Sequence, residues 1–151
     1  MLREKLAELD IELPVVSGPF GAYVPAKRVG ELVYVAGQLP MKDGKLLGIG
    51  QVPSLCPLES AQAAARQCVI NALAAVNTLE GGIDQLVGVA RVGVFVCSDS
   101  DFTQQPQVAN AASELLLQLF GDAGKHARAA VGVAALPLDA AVEVEFLFIA
   151  R

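Results

Sequence analysis

Residues 127 to 150 read ARAAVGVAALPLDAAVEVEFLFIA, and the alternation inside this stretch decides the fold. Ala127 to Leu136 and Ala141 to Ala150 read as two β-strands joined by the turn Pro137-Leu138-Asp139. Side chains alternate across a strand with period two, so Arg128, Ala130, Gly132 and Ala134 share one face. An arginine thus emerges from a surface of very small residues, a face that something must approach closely. In the second strand Val142, Val144, Phe146 and Phe148 form one face, while Glu143 and Glu145 stand with Leu147 and Ile149 on the other. Two carboxylates in so apolar a strand require hydration or partners, because an unpaired buried carboxylate is costly or holds its proton. A structural Arg–Glu pair at a subunit contact, or an exposed strand end, satisfies the same pattern.

Working outward, Leu58 to Leu79 carries Ala61, Ala65, Cys68, Val69, Ala72, Leu73 and Val76 on one helical stripe, with Gly81-Gly82 as its stop. Leu86 to Cys97 is a valine-rich strand with Arg91 its only charge, long enough to be covered on both faces. A second long helix begins near Pro106, repeats Ala109, Ala112, Leu115, Leu116, Leu119 and Phe120 at helical spacing, and stops at Gly121. Leu32 to Ala36 reads as a buried strand ended by Gly37. The prolines and glycines at 18, 19, 21 and 25 enforce irregular or edge-type backbone before it. Met41 to Pro57 reads as a hairpin followed by a long loop. Leu2, Leu6 and Leu9 support a short N-terminal helix, and residues 1–17 read as an appendage. The order of elements predicts one α+β domain over residues 1–151, a mixed sheet with two helices packed on one face. The other face needs cover, and copies of the same chain are its nearest source.

Composition narrows the function. Hydrophobic residues make up 54% of the 151 and charged residues 18%, with 24 alanines, 14 glycines and no tryptophan. That excludes disorder and leaves apolar surplus for subunit interfaces. The net charge of −5 argues against a nucleic-acid surface. Cys56, Cys68 and Cys97 form no C-x-x-C pair and His126 is the single imidazole, so a zinc site lacks ligands and a reducing, cytoplasmic setting is expected. No apolar leader opens the chain and no uncharged stretch reaches the length of a membrane span. Nucleotide loops, a G-x-S-x-G nucleophile elbow and metal-protease motifs are all missing, and a cofactor-free site is compatible with what remains. His126 reads as a surface or supporting histidine beside Arg128. Cys68 and Cys97 read as packed rather than nucleophilic.

Gly21-Ala22-Tyr23, Val35-Ala36-Gly37-Gln38-Leu39-Pro40, Asp101-Phe102 with Asn110, Ala127-Arg128-Ala129-Ala130-Val131, Leu136-Pro137 and Val142-Glu143-Val144-Glu145 occur in order from about Gly18 to Ala150. As a set they resemble the reactive intermediate deaminase (Rid, YjgF-like) family. The resemblance implies a chorismate-mutase-like fold in a homotrimeric barrel, with clefts between subunits. It further implies cofactor-free hydrolysis of enamines and 2-imino acids to 2-keto acids and ammonia. Carried across, the family's catalytic arginine falls on Arg128 and its cleft glutamate on Glu143. Its substrate-binding positions fall on Tyr23, Gly37, Asn110 and Ala130. Ala36 and Ala130 stand where serine and cysteine are frequent in the family, which points to a divergent branch. A trimeric small-carboxylate-binding protein without catalysis, and an endoribonuclease, are the competing readings.

Overall fold

In the computed structural model, which describes residues 1–16, 18 and 20–151, the chain runs α1 (Leu2–Glu8), β1 (Ala26–Val29), β2 (Leu32–Gln38), β3 (Met41–Lys42), β4 (Lys45–Leu46), α2 (Leu58–Val76), β5 (Leu86–Cys97), α3 (Gln105–Phe120), β6 (Ala127–Val133) and β7 (Val142–Ala150). Short 3-10 turns occupy Gly82–Gln85, Gly121–Gly124 and Pro137–Asp139. Pro19, one of the residues expected to keep the backbone irregular before β1, lies outside the described residues.

Five strands form one mixed sheet in the order β1-β2-β7-β5-β6, and β3 pairs with β4 as a separate hairpin. β1 and β2 join through the two-residue turn Gly30-Glu31, where Gly30 adopts φ 60°. β5 and β6 are parallel, whereas β1–β2, β2–β7 and β5–β7 are antiparallel. A parallel neighbour needs a crossover, which α3 supplies by leaving β5 and returning the chain to β6. The two C-terminal strands, adjacent in sequence, are therefore not adjacent in the sheet: β5 lies between them. Their connection does not close as a hairpin: it passes over the end of β5, where Ser98 N donates to Val133 O at 3.0 Å on one side and Cys97 N to Ala141 O at 2.8 Å on the other.

The alternation read in β7 holds. Val142, Val144, Phe146 and Phe148 are buried toward the helices, with Val33 and Val35 of β2 and Val92, Val94 and Val96 of β5 beside them. α2 departs from a single buried stripe, since Ala64, Ile70, Ala74, Ala75 and even Gln67 and Asn71 are buried as well. An alanine-rich helix is thin enough to lie between the sheet, α3 and β3 at once. α1 rests on α3 and the Gly82–Gln85 turn, with Leu2 and Leu6 buried in the common core and Arg3 Nε donating to both Asp84 carboxylate oxygens at 2.9 and 3.1 Å. The first residues thus share the core instead of hanging from it.

The opposite sheet face has no covering element among the described residues. Tyr34, 49% exposed, and Val131, 45% exposed, lie on it with the half-buried Leu147, Ile149 and Phe95. The apolar surplus of the composition resides there.

Candidate functional site

The sheet separates the candidate residues into two groups. Arg128 pairs in register with Val92 and Ala130 with Val94, both of which point to the helices, so Arg128 and Ala130 emerge on the helix side of β6. What approaches this small-residue face is α3 of the same chain rather than a second subunit. A side chain on Gly132 would meet Gln105 Nε2 at 2.7 Å and Ser98 Oγ at 3.0 Å. Further along α3, Asn110 and Ser113 are three residues apart and share a helix face. Arg128 Nη1 donates to Asn110 Oδ1 at 2.9 Å and to Ser113 Oγ at 3.1 Å. Both hydrogens of Nη1 are thereby used. Nε and Nη2 have no acceptor among the described residues, and together they form the two-pronged edge that matches a carboxylate. Ala130 is half-buried against the core and brings no polar side-chain atom to the groove.

Ser113 and His126 complete this group. His126 Nδ1 lies 2.6 Å from the Gly124 carbonyl oxygen, which can only accept, so Nδ1 carries the ring proton. His126 Nε2 is then the acceptor at 2.9 Å for the Ser113 hydroxyl, whose oxygen in turn accepts from Arg128. Ser113 thus connects His126, expected at the surface or in support beside Arg128, to that arginine. The sequence reading passed over Ser113, although the Asn110/Ser113 spacing and the two-residue spacing of His126 and Arg128 were available signals.

The second group lies on the uncovered face. Glu143 points there from β7, and its carboxyl fills the place that a Gly37 side chain would take: a Cβ on Gly37 would overlap Glu143 Oε2 and lie 3.0 Å from Cδ. Gly37 sits where the β2–β7 register shifts between Val35 and Gln38. α2 braces this segment from the other side. Asn71 Nδ2 donates to the carbonyls of Leu39 and Met41 at 3.0 and 2.9 Å, Gln67 Nε2 donates to Asn71 Oδ1 at 3.0 Å, and the Cys68 thiol donates to Gln38 O at 3.2 Å. These buried polar residues were legible only as interruptions of an apolar helix. Glu143 accepts no hydrogen bond among the described residues. Burial, and behind it the charge of Glu145, raises its pKa above the ordinary carboxylate value. Glu145 itself takes an ion pair with Arg91 at 3.4 Å. Tyr23 is 62% exposed and precedes β1, at the sheet edge away from β6. Its segment runs beside Gly37, since Ala36 N donates to Pro25 O at 2.9 Å.

Gly37 and Glu143 therefore belong to one group, with the segment that follows Tyr23 running past it, and Arg128, Asn110 and Ala130 belong to another. Glu143 is in register with Phe95 and Arg128 with Val92, on strands flanking β5. With strands about 4.8 Å apart and a rise of about 3.3 Å per residue, the two α-carbons are about 14 Å apart, with side chains on opposite faces. A single chain does not bring both to one small molecule. All three cysteines are buried, and burial is the leading cause that raises each thiol pKa, so none is a ready nucleophile.

A family model described as "YjgF/chorismate_mutase-like, putative endoribonuclease" matches residues 3–150. Protein TCP17 of Trypanosoma cruzi is 41% identical over 143 residues, spanning 94% of this chain and 89% of that protein. The 2-iminobutanoate/2-iminopropanoate deaminase of Dermatophagoides farinae is 29% identical over 142 residues, 92% of this chain and 94% of its own length. The crystal structure of Atu1372 from Agrobacterium tumefaciens, a protein of unknown function, superposes with a TM-score of 0.90 at 40% identity, covering 99% of this chain and 92% of that one.

Proposed function

The chain belongs to the YjgF/chorismate-mutase-like family, and from that premise we propose that it is a cytoplasmic, cofactor-free deaminase that hydrolyses 2-imino acids to 2-keto acids and ammonia. Its sites lie between copies of a homotrimer. The observation that carries this reading is the split itself. Among the described residues Arg128 has an unused carboxylate-binding edge on one face, and Glu143 has an unpaired carboxyl of raised pKa on the other. Each half lacks what the other has, and the uncovered apolar face is the surface through which copies would meet. The 29% identity with an imino-acid deaminase over nearly the whole length supports the same chemistry.

In this reading Arg128 binds the substrate carboxylate through Nε and Nη2, which fixes the C2 carbon of the imine. Glu143 of an adjoining copy takes a proton from water as its oxygen bonds to C2. The resulting tetrahedral adduct carries hydroxyl and amino groups on one carbon. Glu143 hands that first proton to nitrogen, which makes the amino group, and then carries the hydroxyl proton to the same nitrogen as the C–N bond breaks, releasing ammonia while the C=O double bond of the 2-keto acid forms. A carboxyl with a raised pKa suits both halves of that exchange, because general acid–base transfer is most effective when the group's pKa lies near the working pH. Tyr23 closes the cleft, and backbone groups near Gly37 and Ala130 orient the imine nitrogen.

A binding-only protein is favoured by one observation: Ala36 and Ala130 bring no polar side chain to either half. The endoribonuclease activity in the family's description is opposed by the net charge of −5. A threonine dehydratase generating 2-iminobutanoate, followed by release of 2-ketobutyrate, tests the proposal directly. Acceleration by this protein is expected, and no acceleration refutes deamination. Mixing Arg128→Ala chains with Glu143→Gln chains under subunit exchange tests the assembly. A shared site regains activity at about a quarter of clefts, whereas a site within one chain regains none.

A further inference from the structure

The four groups Gly124, His126, Ser113 and Arg128 form one chain of hydrogen bonds with a single consistent direction. It starts from backbone that cannot shift: Gly124 is packed so tightly on α3 that a Cβ there would lie 2.5 Å from the Leu116 carbonyl oxygen. Its own carbonyl accepts from His126 Nδ1 at 2.6 Å, and in the Nδ1–H tautomer that this bond selects Nε2 is left to accept. Nε2 accepts the Ser113 hydroxyl hydrogen at 2.9 Å, which turns a lone pair of that oxygen toward Arg128 Nη1 at 3.1 Å. Asn110 Oδ1 takes the second Nη1 hydrogen at 2.9 Å. Arg128 stands on an exposed strand edge, where an arginine otherwise samples many rotamers.

We infer that His126 and Ser113 are positioning residues for Arg128. The pair holds Nη1 in place so that the Nε–Nη2 edge meets a substrate carboxylate already oriented. The inference rests on Arg128 being the carboxylate anchor, and it adds what fixes that anchor. Its effect falls on binding, because the rotamer freedom lost by an arginine is lost on forming the complex and not in the chemical step. The two residues act through one hydroxyl, so their contributions are not additive.

Pyruvate binding by titration calorimetry and steady-state turnover of 2-iminobutanoate test this on the full chain. Ser113→Ala and His126→Ala are each expected to raise the pyruvate Kd and the KM about three- to tenfold, with kcat within about twofold of the parent. The double variant should be no worse than Ser113→Ala, and Ser113→Thr, which keeps the hydroxyl, should restore binding. Nitrogen-15 spectra should show His126 as the Nδ1–H tautomer, and should show distinct Arg128 Nη signals that merge in Ser113→Ala. An unchanged Kd and KM in Ser113→Ala, additive losses in the double variant, or an Nε2–H tautomer would each overturn the inference. If the parent neither binds pyruvate nor deaminates, the reading of Arg128 as anchor fails, and the spectra alone decide whether the relay holds that side chain.

Discussion

Two arginines stand on the edge strands of the same sheet, and their hydrogen bonds differ in kind. Every nitrogen of Arg28 on β1 is engaged by its own chain: Nε donates to Gly30 O at 2.9 Å, Nη1 to Gln85 Oε1 at 2.6 Å and Nη2 to Arg151 O at 2.9 Å. It ties an edge strand to the C-terminus. Arg128 on β6 commits Nη1 alone, and its other two nitrogens have no acceptor among the described residues. The glutamates of β7 repeat the contrast: Glu145 is paired with Arg91, whereas Glu143 beside Gly37 has no partner among the described residues. An arginine whose three nitrogens are all engaged within the chain has no free two-pronged edge to offer a ligand. One held by a single nitrogen combines a fixed orientation with unused capacity, which is what recognition requires.

The widest gap between the arginines should appear on substitution. Arg128→Ala removes two hydrogen bonds to a charged ligand, about 1.5–3 kcal/mol each, so kcat/KM for 2-iminobutanoate should fall roughly 10²–10⁴-fold. Its melting temperature should hardly move. A large fall in that temperature with normal deamination would make Arg128 a second Arg28. Next in size is Glu143→Gln, expected to lower kcat about 10²-fold while pyruvate still binds. Glu145→Gln, which breaks only an exposed ion pair, should leave turnover near the parental level. Equal losses in the two variants would erase the distinction drawn between them. Arg28→Ala should do the reverse of Arg128→Ala, leaving kcat/KM in place and costing about 1 kcal/mol, or about 2–4 °C by calorimetry.

The smallest effect concerns pH. Glu143 has a folded pKa above its unfolded one, so its folded state favours the protonated form. Its contribution to stability is full below the unfolded pKa and is lost as the pH rises through the raised folded value. Glu143→Gln does not titrate. Melting curves of the two proteins should run parallel in acid, and above that window the variant should gain on the parent. A variant that loses ground there would show that Glu143 has a stabilising partner.

How far the sequence could be read depended on how local each feature is. The spans of β5 and α3, and the faces of β7, follow from periodicity over a dozen residues, and they hold in the structure. Arg128 and Glu143 stood out because charged groups interrupt such patterns, and the family resemblance supplied roles for them. Ser113 carried no such contrast. A serine on a helix is unremarkable until the strand that follows lays an arginine and a histidine across it.

The sequence by itself determined the spans of β5 and α3 and which side of β7 is apolar, because those choices are made by backbone geometry and solvent within a few residues. Only the tertiary structure decided that β5 separates β6 from β7 and that α3 covers the Arg128 face. It alone placed Arg128 and Glu143 on opposite sides of one sheet. Strand order and crossover depend on how all the apolar faces can be buried together. That is a property of the whole chain, and no local pattern of residues encodes it.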